Sequence, residues 1–217
     1  MKILCVSDEV DPLVYSVNAK KRYADIDLVI SSGDLPAKYY EFIISTLNRP
    51  LLYVNGNHKG IHKTDDSGYG MGASAGSCDE YYGECIDGKV LYLKKLDLIV
   101  AGLGGSMKYN NGLDQYTETA QRRRMARMAP SLMLNKIYHG RPVDILVTHA
   151  APFGIHDAPD LCHRGFECFN RFIDQYRPKY LLHGHVHVLD QNKRPVTECS
   201  ETEVINVFKS YILEIDK

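Results

Sequence analysis

Apolar residues fall along the chain in short runs, and five of these have the length and composition of buried strands: Lys2-Ile3-Leu4-Cys5-Val6, Asp27-Leu28-Val29-Ile30, Leu51-Leu52-Tyr53-Val54, Asp144-Ile145-Leu146-Val147 and Tyr180-Leu181-Leu182. Between the first two, Ser16 to Ala24 has helical spacing with Ser16 as N-cap, and a second helical stretch from Tyr39 to Leu47 leads through Arg49-Pro50 into the third run. Strand, helix and strand in alternation predict a mainly parallel sheet covered by helices, so the fold class is α/β. Farther along, Val90 to Leu93 and Leu98 to Ala101 read as strands ahead of Gly104-Gly105-Ser106, and a helix is expected from Thr117 to about Ile137. Met125, Met128 and Leu132 share one stripe of that helix. Arg122, Arg123, Arg124 and Arg127 fall largely off it and read as a solvated face. Alternation in Val204 to Phe208 and Tyr211 to Ile215, around Lys209-Ser210, predicts a β-hairpin.

Each of the five runs is followed at once by a short polar motif: Ser7-Asp8, Gly33-Asp34, Gly56-Asn57-His58, Thr148-His149 and Gly184-His185-Val186-His187. The chain thus delivers acids, an amide and imidazoles to one rim of a sheet, the rim where α/β proteins bind ligands. Carboxylate, amide oxygen and imidazole together are a donor set for divalent cations. Two cations about 3.5–4 Å apart would lower the pKa of a water between them and clamp both the attacking and the leaving oxygen of a phosphoryl displacement. Such a site needs one bridging carboxylate, for which Asp34 is the choice, because Gly33 removes side-chain bulk where the strand turns.

With 217 residues, 44% of them hydrophobic, the chain fits a single domain over residues 1–217. A net charge of -1 gives no field to gather nucleic acid or acidic lipid, so a nucleic-acid partner is not expected. The start reads directly into a strand without a signal-peptide pattern, no run is long enough to span a bilayer, and a cytoplasmic location is expected. Six scattered cysteines without a CxxC pair read as reduced thiols, with Cys78 and Cys85 the one pair to check. Lys59 to Gly88, rich in Gly, Ser and Asp, reads as a long loop rooted beside His58, either shaping the substrate entrance or simply inserted at the surface.

Taken in order, the motifs resemble those of the calcineurin-like metallophosphoesterases, whose signature runs DxH, GD, GNH[DE], [GT]H and GHxH, and the likeness extends from Asp8 to His187. It looks most like small bacterial phosphoesterases and metallophosphoesterase-domain phosphodiesterases. The resemblance implies a four-layer α-β-β-α sandwich of the metallo-dependent phosphatase type. It also implies two divalent ions, Mn, Fe or Zn, one held by Asp8, Asp34 and His187 and the other by Asp34, Asn57, His149 and His185. His58 would stand near the leaving group as the catalytic residue, with Asn57 also engaging the phosphate. The implied activity is hydrolysis of phosphomonoesters or phosphodiesters by a metal-activated hydroxide, on a small phosphate-ester substrate.

Two positions depart from the pattern. Val10 stands where the first motif has its histidine, which weakens the first metal position and opens the alternative of a protein-binding scaffold with little turnover. Glu9, Asp11 or water are the candidates to fill the gap. Lys59 replaces the acid that follows Asn57-His58 in the family. Of the other histidines, His183 reads either as a hydrogen-bonding support beneath a ligand or as a core residue, His156 and His163 lie on a loop that could reach substrate, and His62 and His139 read as surface residues. Gly104-Gly105-Ser106 reads as a phosphate contact or a tight strand-end turn.

Overall fold

Two mixed sheets face each other. The computed structural model describes residues 1–58, 83–188 and 195–216. Strands β1 (Lys2–Ser7), β2 (Leu28–Ser31), β3 (Leu51–Tyr53), β4 (Glu84–Cys85), β5 (Val90–Leu93), β6 (Leu98–Leu103), β7 (Ser106–Met107), β8 (Gln115–Tyr116), β9 (Ile145–Thr148), β10 (Tyr180–His183), β11 (Val196–Cys199), β12 (Thr202–Asn206) and β13 (Lys209–Glu214) are joined with helices α1 (Ala19–Arg22), α2 (Ala37–Leu47), α3 (Glu118–His139) and α4 (Glu167–Tyr176). The first sheet has the order β13-β1-β2-β3-β4 and the second β11-β12-β10-β9-β6-β5, while β7 and β8 form a separate pair. The pairs β1–β2, β2–β3, β3–β4, β6–β9, β9–β10 and β10–β12 are parallel.

Period-two alternation explains the layers. Ile3 and Cys5 of β1, Leu28 and Ile30 of β2, Ile145 and Val147 of β9, and Leu182 of β10 meet in one core between the sheets. The intervening Leu4, Val6 and Val29 turn outward onto Tyr39, Tyr40 and Ile43 of α2. On the second sheet, Leu146 and Leu181 turn outward onto Met125, Met128 and Leu132 of α3 and Phe169, Phe172 and Ile173 of α4. The result is the expected α-β-β-α sandwich. The five runs that open motifs are β1, β2, β3, β9 and β10, near-continuously apolar because both faces are covered.

Four elements differ from the expectations. The first helix is a single turn, Ala19–Arg22, because Ser16 directs its hydroxyl back to the Leu13 carbonyl (3.0 Å) instead of capping a helix. The closing hairpin does not exist: β12 pairs with β10 and β11 in one sheet and β13 with β1 in the other, the chain crossing between them at Lys209, whose φ is 64°. The expected loop from Lys59 to Gly88 ends in β4, paired with β3; residues 59–82, with His62 and Cys78, lie outside the described residues. Arg124 is no part of a solvated face. Its guanidinium binds Asp87, the Gly104 carbonyl (3.0 Å) and Gln121 (2.6 Å), and covers the Tyr116 ring.

Candidate metal centre

The turns that follow β1, β2 and β10 place Asp8, Asp34 and His185 in left-handed backbone conformations, with φ of 64°, 58° and 66°. Such conformations cost about 1–3 kcal/mol each for residues with a Cβ and persist only where surrounding contacts impose them. Here the turns are tied to one another. The Asp8 amide donates to the Gly33 carbonyl (3.1 Å), the His185 amide to Asp8 Oδ2 (2.9 Å) and the His58 amide to Asp34 Oδ1 (3.0 Å). Two glycines permit the approach: a Cβ on Gly56 would lie 1.8 Å from Asp34 Oδ1, and one on Gly184 would lie 2.3 Å from Asp8 Oδ2.

Asp34, His149 and His185 each bring a ligand atom within 4.8 Å of the other two. His149 is fully buried, and its Nδ1 lies 2.8 Å from the Ser32 carbonyl, which can only accept, so Nδ1 carries the proton and Nε2 a lone pair. That Nε2 is 2.8 Å from Asn57 Oδ1 and 3.2 Å from Asp34 Oδ2. The Asn57 amide nitrogen is turned away, donating to the Tyr109 hydroxyl (3.1 Å). Asp34 Oδ2 is itself buried and receives no well-directed hydrogen bond. Three lone-pair atoms therefore converge with nothing to separate them except a cation or a proton. Burial alone would suppress charge on both groups, yet Asp34 raises His149 to about 9, and His149 with the His58 amide holds Asp34 down to about 2. His185 donates from Nε2 to the Cys162 carbonyl (2.8 Å), leaving Nδ1 unprotonated, and burial beside His149 keeps the ring neutral, down to about 3.

The remaining expected residues are less gathered. Asp8 stands on the same rim, its carboxyl raised chiefly by burial. His187 is exposed and lies against Phe208 (ring centroids 4.7 Å); neither it nor Asp8 joins a three-ligand group among the described residues. His58 is exposed, with Nε2 3.9 Å from Asp34 Oδ2. Neither side-chain candidate for the gap at Val10 is available. Glu9 pairs with Lys209 (2.9 Å), and Asp11 accepts from the Leu13 amide (2.8 Å) and the Ser210 hydroxyl. His183 is a buried support: Nδ1 donates to the Gly184 carbonyl (3.1 Å), and its Nε2 accepts from His156 (3.0 Å), which in turn accepts from Thr197 (2.8 Å). His139 lies over Tyr92 with ring centroids 3.9 Å apart. Gly104-Gly105 forms a structural turn, with the Gly105 amide donating to the Asn55 carbonyl (2.8 Å) and Asp87 receiving the Gly104 amide (2.7 Å). Tyr109 and Cys162 border the centre without any sequence motif to announce them, and His163, on the loop read as able to reach substrate, lies with its ring 5.1 Å from that of His185.

The family model for calcineurin-like phosphoesterases matches residues 1–189. The chain belongs to that family. A comparison with curated proteins finds no match. Among solved structures, one crystal structure aligns with 98% of this chain and 94% of its own at 12% identity and a TM-score of 0.61. The protein TT1561 of Thermus thermophilus aligns with 96% of this chain and 89% of its own at 14% identity and a TM-score of 0.55. At such identities these likenesses establish the fold. A calcineurin-like phosphoesterase performs metal-dependent phosphoester hydrolysis, and the donor set suits the cation. Atoms bound to one ion at about 2.0–2.2 Å sit about 2.8–3.6 Å apart, the range of the distances from His149 Nε2 to Asn57 Oδ1 (2.8 Å) and Asp34 Oδ2 (3.2 Å). None of the helices among the described residues is long and apolar enough to cross a membrane.

Proposed function

We propose that this calcineurin-like phosphoesterase hydrolyses small phosphate monoesters or diesters in the cytoplasm, with divalent cations gathered at the Asp34 rim. The observation that supports the reading is the approach of Asn57 Oδ1 (2.8 Å) and Asp34 Oδ2 (3.2 Å) to the buried His149 Nε2, a place that a proton on His149 holds until a cation takes it. His185 completes this set through Nδ1. Asp8 and His187 are assigned to a weaker first position whose missing ligand Val10 cannot supply. When bound, the cations neutralise phosphate charge and lower the pKa of water in the site. Asp34 supplies the negative charge that an amide could not. Asn57, its amide fixed by Tyr109, presents one orientation to cation and phosphate. His58, on the open side of Asp34, donates a proton to the departing oxygen.

The test loads metal-free protein with manganese, iron or zinc in turn and measures turnover of nitrophenyl phosphate and bis(nitrophenyl) phosphate. Hydrolysis of at least one, abolished by chelation and by Asp34→Asn, is expected. Folded, metal-loaded protein without turnover of either would favour the scaffold reading, whose support is Val10 packed into an apolar cluster. A long nucleic acid is disfavoured as substrate, because Arg124 of the basic cluster is spent on Asp87.

A further inference from the structure

Cys162, His163 and His185 form a second group whose ligand atoms all lie within 4.8 Å of one another, and His185 belongs to both groups. The assignments above use neither Cys162 nor His163, yet their loop is built to hold them. Asp157 closes it by accepting the Gly154 and Gly165 amides, each at 3.0 Å. Within the loop, Asp160 Oδ1 accepts the Cys162 amide (3.1 Å), the His163 amide (3.1 Å) and His163 Nδ1 (2.9 Å). A carboxylate only accepts, so His163 Nδ1 is protonated and Nε2 carries the lone pair. Carboxylate, histidine and cation in series is the arrangement by which proteins orient metal-binding imidazoles. The His163 ring lies near His185, centroids 5.1 Å apart. Tyr109 stands beside the first group, its hydroxyl accepting from Asn57 (3.1 Å).

We propose that Cys162 and His163, beside His185, form a second divalent-cation position in place of the one that Val10 leaves incomplete. This inference rests on the metal-dependent reading above and narrows its choice of ion. Thiolate with imidazole favours zinc over manganese; Cys162 Sγ and His163 Nε2 are the two ligands the chain supplies, because the single lone pair of His185, on Nδ1, belongs to the Asp34 group, and water or substrate would fill the remaining places. Tetrahedral zinc with Zn–S of about 2.3 Å and Zn–N of about 2.0–2.1 Å needs donors roughly 3.3–3.6 Å apart. The group, spread to at most 4.8 Å, would have to close by about an ångström.

The test titrates the metal-free full chain, under nitrogen, with Co²⁺ as a spectroscopic stand-in for zinc, following absorbance and metal per chain. Two equivalents are expected, one of them producing a sulfur-to-cobalt charge-transfer band in the near ultraviolet. Cys162→Ser should remove the band and one equivalent with an unchanged circular dichroism spectrum. Asp160→Asn should weaken the same equivalent about 10–100-fold. Cys199→Ser, a control at another half-exposed thiol, should change neither. Asp34→Asn should lose turnover and keep the band. Cobalt bound and phosphoester turned over without a thiolate band would overturn this inference alone, as would loss of the band in Asp34→Asn. No cobalt bound at all would overturn both readings.

Discussion

Asn57 Oδ1 and His149 Nε2 lie 2.8 Å apart although each is held in the orientation that leaves it a lone pair, the amide nitrogen being committed to Tyr109 and His149 Nδ1 to the Ser32 carbonyl. Buried acceptors that face each other repel unless something positive lies between them. The arrangement therefore calls for a positive charge at this point, which a proton on His149 or a cation would supply.

Without a cation that positive charge is a proton on His149. Asp34 outweighs burial and raises the imidazole to about 9, while the same pairing holds Asp34 down to about 2. The stabilisation from the pair is complete between about pH 4 and 6.5, the unfolded values. It is lost as pH rises through about 9, where His149 deprotonates, and as pH falls through about 2, where Asp34 protonates. Metal must expel this proton. Affinity for the first equivalent should rise about tenfold per pH unit up to the His149 value and level off above it. Calorimetry at pH near 7 in buffers of different ionisation heat should report about one proton released; release of none would show His149 already neutral.

Tyr109→Phe should keep the fold and remove the one group that fixes the Asn57 amide. A buried donor left unsatisfied costs about 1–3 kcal/mol, and the amide is then free to rotate its nitrogen toward His149. Metal affinity should fall about 10–100-fold, as for other losses of ligand support. Metal competition against a chromogenic chelator checks this, and wild-type affinity would show that His149 alone orients Asn57.

Gly56→Ala should abolish metal binding more thoroughly than its size suggests, since the new Cβ would lie 1.8 Å from Asp34 Oδ1. Gly140, at positive φ (75°) with open space around it, is the control: Gly140→Ala should cost about 1 kcal/mol of stability and leave metal content unchanged. Metal analysis and chemical denaturation of the two variants separate a local clash from general strain. Equal metal content in both would mean that the Asp34 turn yields.

The five strand ends were legible because each strand is apolar on both faces and its motif follows immediately; β1 sends Ile3 and Cys5 to one core and Leu4 and Val6 to the other. The helix α4 was missed, although Cys168, Phe169, Phe172, Ile173 and Tyr176 recur at helical spacing and are all buried. Other features were not readable. Alternation in β12 and β13 fits a hairpin equally well, and only the left-handed turn at Lys209 sends the chain to the opposite sheet. Arg124 looked solvated because its partner Asp87 is far away in sequence. Tyr109 and Cys162 lie on loops without periodicity, so their approach to the centre follows from tertiary structure alone, whereas His163 was noticed only as a histidine on a loop after His149.

His58→Ala should retain both metals, because the side chain is exposed and stands 3.9 Å from the nearest Asp34 oxygen, outside the ligand group. A general acid typically contributes about 10²–10⁴-fold. The loss should be large for alkyl phosphates and small for nitrophenyl esters, whose leaving group departs without a proton. Parallel measurement of kcat on both substrates decides the matter. Equal losses would assign His58 to binding.

Val10→His tests whether the first motif can be repaired by supplying its missing imidazole. Val10 is half-buried and packs on the cluster that contains Leu4, Val6 and Val14, on the helix-covered side of the first sheet and away from the inter-sheet core. An imidazole there meets apolar neighbours instead of Asp8, so the variant should lose about 1–2 kcal/mol of stability and gain no metal. Two further changes would be needed in the surroundings, since Asp11 is tied to Leu13 and Ser210 and the His187 ring lies on Phe208. Metal content at limiting supply, measured beside urea denaturation, checks the expectation. An added equivalent of metal with undiminished stability would mean that the turn after β1 swings position 10 onto the rim when a ligand is there to bind, and the family's first position would then be latent in this chain.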